Sequence, residues 1–350
     1  MTSHCRLCAF ATLANLCLAL LLASPLLCVA APQEPGNMPA TAPGSSKEGP
    51  SGVQLKVDVP LVRLDVLVTD EDGNVLSGLK SGNFRVLDNG AARTIESFTP
   101  TAAPITVVVL MEYSAASYGY FAGRAADWAN GFLDHLEAQD WVALVTYDMQ
   151  AKVRVDFTHR RYDVRDALNA LGAPQFSEAN LYDALMDTLD KLQTVRGRTS
   201  ILLLSTGANS FSKSTLDEVR ARLRNTDTTI FCIGLAEPEY VRLSGSDVSY
   251  IQGKNALSAF SKQTGGLALF PRFDAELPSI FRSVVGFLRG EYTLTFRPPK
   301  QSRDGLYHRL KVEIVGPDGR PLKVTDDKGR RRRIEVFTRE GYTAPLDTTP

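Results

Sequence analysis

Residues 105–111, ITVVVLM, form an almost unbroken apolar run rich in β-branched side chains, and the run stops abruptly on Glu112, Tyr113 and Ser114. A strand that is apolar on both faces has to be covered on both, which restricts it to the middle of a mainly parallel sheet clothed by helices. The same device recurs at 140–148 (DWVALVTYD), 199–205 (TSILLLS), 228–236 (TTIFCIGLA) and 267–271 (LALFP). Between these runs lie helical periods at 121–136, 162–171, 181–194, 214–225, 255–265 and 276–290. In one of them Leu181, Ala184, Leu185, Leu189 and Leu192 share a face. KVRVDFT at 152–158 alternates instead and reads as an edge strand. Repeated strand–helix units of this kind predict an α/β fold, a doubly wound mainly parallel sheet. Ligands of such sheets sit beyond the carboxyl ends of the strands. That places Glu112, Ser114 and Ser117 where function is expected, and carboxylate and hydroxyl oxygens suit a hard divalent cation.

Small antiparallel β segments flank this region. Residues 53–102 alternate with period two and carry turn signals at Asp72-Gly73 and Asn89-Gly90. Residues 291–344 return to β pattern, and 345–350 form a short tail. Pairing between 338–345 (TREGYTAP) and the N-terminal module would join the two β pieces; the sequence alone does not fix it. The α/β region spans 103–290. Arg330 to Arg333 form the one dense basic run, placed among acids near a hairpin and read as a solvated turn. With 39 basic and 39 acidic residues the formal charge is zero, so nothing favours nucleic acid as a partner.

The N-terminus reads as an export signal. Arg6 precedes an apolar stretch over 7–22 interrupted by Thr12 and Asn15, and the small residues Ala30 and Ala31 follow. Cleavage after Ala30 would release a periplasmic or secreted chain; left uncut, 7–31 would anchor it in a membrane. Residues 1–31 are therefore set apart as the signal, and the Pro-, Gly- and Ser-rich 32–52 as a linker. Four of the five cysteines lie inside the signal. Cys232 alone remains, within an apolar strand, so the exported chain has no internal disulfide and fits a bacterial periplasm.

Taken in order, LVRLDVLVTDEDGNVLSGLKSGNFRVLDNG, VVVLMEYSAAS, NLYDALMDTLDKL with RTSILLLSTGANS, and GEYTLTFRP with REGYTAP resemble the von Willebrand factor type A group. The likeness is to its acidobacterial VWFA-related branch and covers about residues 53–342. The resemblance implies an interaction domain whose ion site takes an Asp and two hydroxyls from a first loop, a Thr from a second and an Asp from a third. This chain departs from the pattern. Glu112 stands in place of the first Asp; Ser114 keeps one hydroxyl. Ala116 replaces the other, with Ser117 one residue late. Asn180 lies one position off the Thr, and Thr206 replaces the last Asp. The set Glu112, Ser114, Ser117, Asn180 and Thr206 is thus a degenerate ion site. No cofactor is expected; magnesium or calcium is the ion such donors would take.

Catalytic patterns are missing from the sequence. There is no Gly-x-Ser-x-Gly elbow, phosphate loop or dinucleotide fingerprint, and no Cys/His cluster for zinc. His135, His159 and His308 are scattered. The chain is read as a non-enzymatic, exported protein-binding module acting through the carboxyl edge of its sheet, with Tyr113 and Tyr118 as partner-binding aromatics and the protein partner unidentified. The alternatives are an envelope scaffold working through its β segments and, further off, a hydrolase. Oligomeric state is not legible.

Overall fold

Hydrophobic periodicity sets the element order. The computed structural model describes residues 61–100, 104–124, 131–235, 247–325, 328–344 and 346. The predicted signal (1–31), the linker (32–52), the first strand pattern (53–59), part of the 121–136 helix and most of the 345–350 tail lie outside the described residues. The alternating N-terminal segment forms β1 (Val62–Asp70), β2 (Phe84–Asp88), β3 (Ala91–Arg93) and β4 (Ile95–Thr99). The apolar runs and amphipathic stretches then give β5 (Thr106–Glu112), β6 (Trp141–Tyr147), β7 (Ala151–Thr158), α1 (Arg161–Asn169), α2 (Leu181–Leu192) and β8 (Thr199–Leu204). They continue through α3 (Leu216–Arg224), β9 (Thr229–Ile233), α4 (Asp247–Thr264), β10 (Ala268–Leu269) and α5 (Leu277–Gly290). The chain finishes in β again: β11 (Tyr292–Phe296), β12 (Tyr307–Ile314), β13 (Val324–Thr325), β14 (Arg331–Arg332), β15 (Ile334–Phe337) and β16 (Gly341–Thr343).

The central sheet runs β10-β9-β8-β5-β6-β7. Every pairing in it is parallel except β6 with the edge strand β7. The fold class is α/β, with helices on both faces. Val107, Val109 and Met111 of β5 point into one apolar layer with Phe281, Val284 and Leu288 of α5. Val108 and Leu110 point into the other, with Leu181, Leu185 and Leu189 of α2 and Leu257 and Phe260 of α4. Burial on both faces is why this strand lacks alternation. Truncating fully buried Leu110 to Ala would leave a cavity costing about 2–5 kcal/mol. Helix α4 starts eight residues ahead of the expected 255, because its first turns leave Val248 and Ile251 exposed and so show no buried stripe.

The flanking strands build two further four-stranded sheets, β15-β1-β11-β4 and β16-β12-β2-β3. Both feed one cluster containing Leu64, Val66, Phe84, Leu294, Phe296 and Val312. N- and C-terminal pieces are joined through β1 with β11 and β15, and through β2 with β12. The tail strand β16 pairs with β12 and not with an N-terminal strand. Asn89 and Gly90, at φ 48° and 83°, make the two-residue turn between β2 and β3, where both central residues need positive φ.

Buried polar contacts brace the amino edge of the central sheet against the start of β11 and against α5. Arg198, one residue before β8, lies 3.2 Å from Glu291 at the start of β11, and both side chains are buried. Asp140, ahead of β6, accepts hydrogen bonds from the Ile105 amide at 2.9 Å and the Arg289 guanidinium. Burial pushes the Glu291 carboxyl up to about 8, and the neighbouring Arg198 charge only partly opposes it. A raised carboxyl favours the fold fully below its unfolded value near 4.5, and that contribution is lost as pH rises through about 8. Glu291→Gln should therefore gain stability relative to the native chain as pH climbs across this window, as urea unfolding at a series of pH values would record.

Candidate functional site at the carboxyl edge

The chain leaves β5 toward β6 on one side and later returns to place β8 on the other. The carboxyl ends of β5 and β8 therefore flank the switch point where such sheets open a crevice. Glu112 is the last residue of β5, and Ser205 and Thr206 follow β8 directly. Across this gap the Glu112 carboxylate is used completely. One oxygen, Oε2, accepts from the Thr206 amide at 2.7 Å, the Thr206 hydroxyl at 2.8 Å and the Ser205 hydroxyl at 3.1 Å. The other, Oε1, accepts from Ser114 Oγ at 2.8 Å. Ser205 in turn accepts from the buried Tyr147 hydroxyl at 2.7 Å and the Gly207 amide at 2.9 Å.

Local geometry holds these donors in place. Gly207 sits at φ +80°, and a Cβ there would lie 2.5 Å from Gly253 of α4. A side chain at Gly253 would meet the Thr206 carbonyl at 2.5 Å. Glycine at both positions lets the β8 loop press onto the helix, which turns the Thr206 amide toward Glu112. On the first loop, Ser117 is fully buried and its hydroxyl lies 3.2 Å from that of Ser114. It donates to the Glu112 main-chain carbonyl at 3.1 Å. Ala116, in register with the missing hydroxyl, is exposed.

Burial raises the Glu112 carboxyl above its usual range, against the pull of the Thr206, Ser114 and Ser205 donors. Tyr147 is pushed well above its usual range by burial and then by the Glu112 charge. The pocket is thus one carboxylate among hydroxyls, with no cation bonded to it among the described residues.

Glu112, Ser114, Ser117 and Thr206 come together; Asn180 does not join them. Its Oδ1 accepts from the Phe211 amide at 2.9 Å and its Nδ2 donates to the Met149 carbonyl at 3.1 Å, stitching two neighbouring loops. Next to it Asp183 receives the Lys213 and Ser214 amides at 2.8 Å each. Burial opposes ionisation there, yet these donors outweigh it and hold Asp183 below the usual carboxylate range. Tyr113 is 7% exposed, donates to the Gly172 carbonyl and meets Tyr118 edge-on at 6.0 Å. Tyr118 is half-buried. Sequence reasoning missed Ser205 and Tyr147. Ser205 had a signal, a second hydroxyl directly after the strand; Tyr147 reads like any strand aromatic.

No protein-family model and no curated protein matches this chain. Solved structures of similar arrangement include proximal thread matrix protein 1 of the mussel byssus, at 12% identity over 53% of this chain with a TM-score of 0.41. That match spans 48% of the mussel protein, about half its length. The von Willebrand factor domain of the type V pili tip protein Mfa5 from Porphyromonas gingivalis is similar at 13% identity, covering 54% of this chain and 95% of its own, with a TM-score of 0.40. A von Willebrand factor type A protein from Catenulispora acidiphila is 13% identical over 84% of this chain and 76% of its own, with a TM-score of 0.41. At such identity and overlap the likeness extends to the fold alone.

Those residues do not fit the divalent ion that the family resemblance implies. Magnesium needs near-octahedral oxygen donors at about 2.0–2.1 Å, and calcium six to eight of them. Here both oxygens of the single carboxylate already accept protein donors, and the Asn180 oxygen is occupied elsewhere. Among the described residues no three His, Cys, Asp or Glu side chains group as ligands.

The Thr206 hydroxyl donates to a buried carboxylate, a bond worth about 1.5–3 kcal/mol. Thr206→Val should lose about that much stability in urea unfolding, while the exposed Ala116→Ser should change it little.

Proposed function

We propose that this chain is an exported interaction module of the von Willebrand factor A type that grips a protein partner at the carboxyl edge of its sheet without a metal ion, and that it is not an enzyme. The observation that carries this reading is the Glu112 carboxylate, whose oxygens are turned inward onto Ser114, Ser205 and Thr206. An edge closed in this way has no open charge to share with a ligand, so affinity has to come from the surface around it.

That surface carries large exposed apolar side chains. Phe176, Phe211, Val248 and Ile251 are 42%, 66%, 64% and 54% exposed. The Phe176 carbonyl accepts from the Ala115 amide at 2.8 Å, so its loop adjoins the first loop. Phe211 follows β8, and Val248 and Ile251 open α4 ahead of Gly253, which lies against Gly207. Large apolar side chains grouped around one edge are what a protein interface uses and what free solvent disfavours.

Three side chains of types that often serve catalysis have other structural roles. His308 is buried between Asp88 at 2.8 Å and Asp304 at 3.2 Å. His159 packs at a tilt against Trp141 and bonds the Asp140 carbonyl. Burial pushes the Cys232 thiol up to about 12, which leaves it unreactive. Export rests on the N-terminal signal pattern; among the described residues no helix is long and apolar enough to cross a membrane.

Phe211→Asp and Ile251→Asp, both at exposed positions, should keep the melting temperature and abolish recovery of a cross-linked partner from the source organism's envelope, with chelator making no difference. Loss of capture on chelation would instead point to an ion-bridged contact. Undiminished capture by both variants would favour a scaffold acting through the β sheets.

A further inference from the structure

A second concave surface lies between the α/β region and the β sheets, away from the loops that surround Glu112. It is a cleft of about 640 Å³ walled by α3 and α4 on one side and by β12 with the residue preceding β16 on the other. Four cationic side chains line it, Arg220, Arg224, Lys262 and Arg309, against the single carboxylate of Glu340. Lys262 and Glu340 neutralise each other at 3.0 Å. The three arginines pair with no carboxylate among the described residues. Outside the cleft some arginines are partnered by a carboxylate, Arg222 by Asp190 at 3.1 Å, Arg297 by Glu96 at 2.9 Å and Arg339 by Asp227. Others, such as Arg154 and Arg161, are held by hydroxyl or carbonyl oxygens; in the cleft three converge on one concave surface.

The arrangement works against stability. Arg220 and Arg224 stand one turn apart on α3, where like charges repel, and Arg309 approaches from another sheet. The wall itself is set. The Arg224 guanidinium lies 5.9 Å from the Tyr307 ring centre. That ring passes so close over Gly341 that a Cβ there would sit 2.5 Å from it. Guanidinium groups match the planar oxygen pairs of phosphate and sulfate, and a cleft of this size exceeds a single such group.

We propose that this cleft binds a small polyanion bearing two or more phosphate or sulfate groups, held by Arg220, Arg224 and Arg309. The ligand supplies the negative charge that the protein withholds. The site is independent of the partner surface at the carboxyl edge and uses none of its residues.

Calorimetric titration of the full chain with inorganic tripolyphosphate and with sucrose octasulfate tests this and separates the two sources of charge. At low ionic strength at least one of them should bind at a single saturable site. Arg220→Ser and Arg309→Ser should each weaken that binding about tenfold, the loss expected for one charge-assisted hydrogen bond. Arg222→Ser, which removes an equal charge outside the cleft, should leave it unchanged. Arg220 and Arg309 are exposed and Arg222 is half-buried; a melting temperature measured for each variant confirms its fold. Failure of both polyanions to bind, or equal weakening by Arg222→Ser, would overturn the proposal.

Discussion

The Glu112 carboxylate is the interaction on which the working edge of the sheet depends. A charge taken out of water is tolerated only where donors surround it, and here every donor is drawn from the loops that the edge must organise. Ser114 comes from the loop after β5, and Ser205 and Thr206 from the loop after β8. One methylene more than Asp lets the carboxylate span the switch point to the Thr206 amide. A Thr at that place donates hydrogen bonds where a second carboxylate would repel and would need a cation between. Glu112 and Thr206 thus fit one another: a carboxylate bonded directly to hydroxyls and an amide.

The two ends of the parallel strands serve different purposes. At the amino edge, Arg198 with Glu291 ties the central sheet to the start of β11, and Asp140 with Arg289 ties it to α5. These pairs fix orientation more than they add stability, since desolvation consumes much of their attraction. At the carboxyl edge the loops are tied to one another and not to another sheet. Side chains such as Phe211 and Ile251 are left outward on a rigid base, which is the arrangement that favours binding with little ordering cost.

Much of the fold was legible because burial imposes period. The run at 105–111 announced a central strand, the spacing of Leu181, Leu185 and Leu189 announced a covering helix, and Asn89-Gly90 announced a hairpin. The start of α4 was hidden, because Val248 and Ile251 face solvent and give no buried stripe. The site was legible in kind but not in wiring. Ser117 was in doubt because it falls one residue late, yet the first loop turns tightly enough to bring its hydroxyl beside Ser114. Asn180 has an oxygen in a suitable stretch of sequence, but its partners, Phe211 and Met149, are distant in the chain and no local pattern reveals them. Tyr147 enters for the same reason, through a contact with Ser205 that only the paired strands create, whereas Ser205 itself was marked by its place directly after the strand.

On the metal-free reading proposed above, protein donors and not an ion complete the Glu112 carboxylate. Calorimetric titration of the folded chain with magnesium, manganese and calcium addresses it directly. No saturable heat is expected for any of the three. One-site binding that disappears in Ser114→Ala would contradict it, and would mean that the Glu112 carboxylate exchanges its internal hydrogen bonds for a metal.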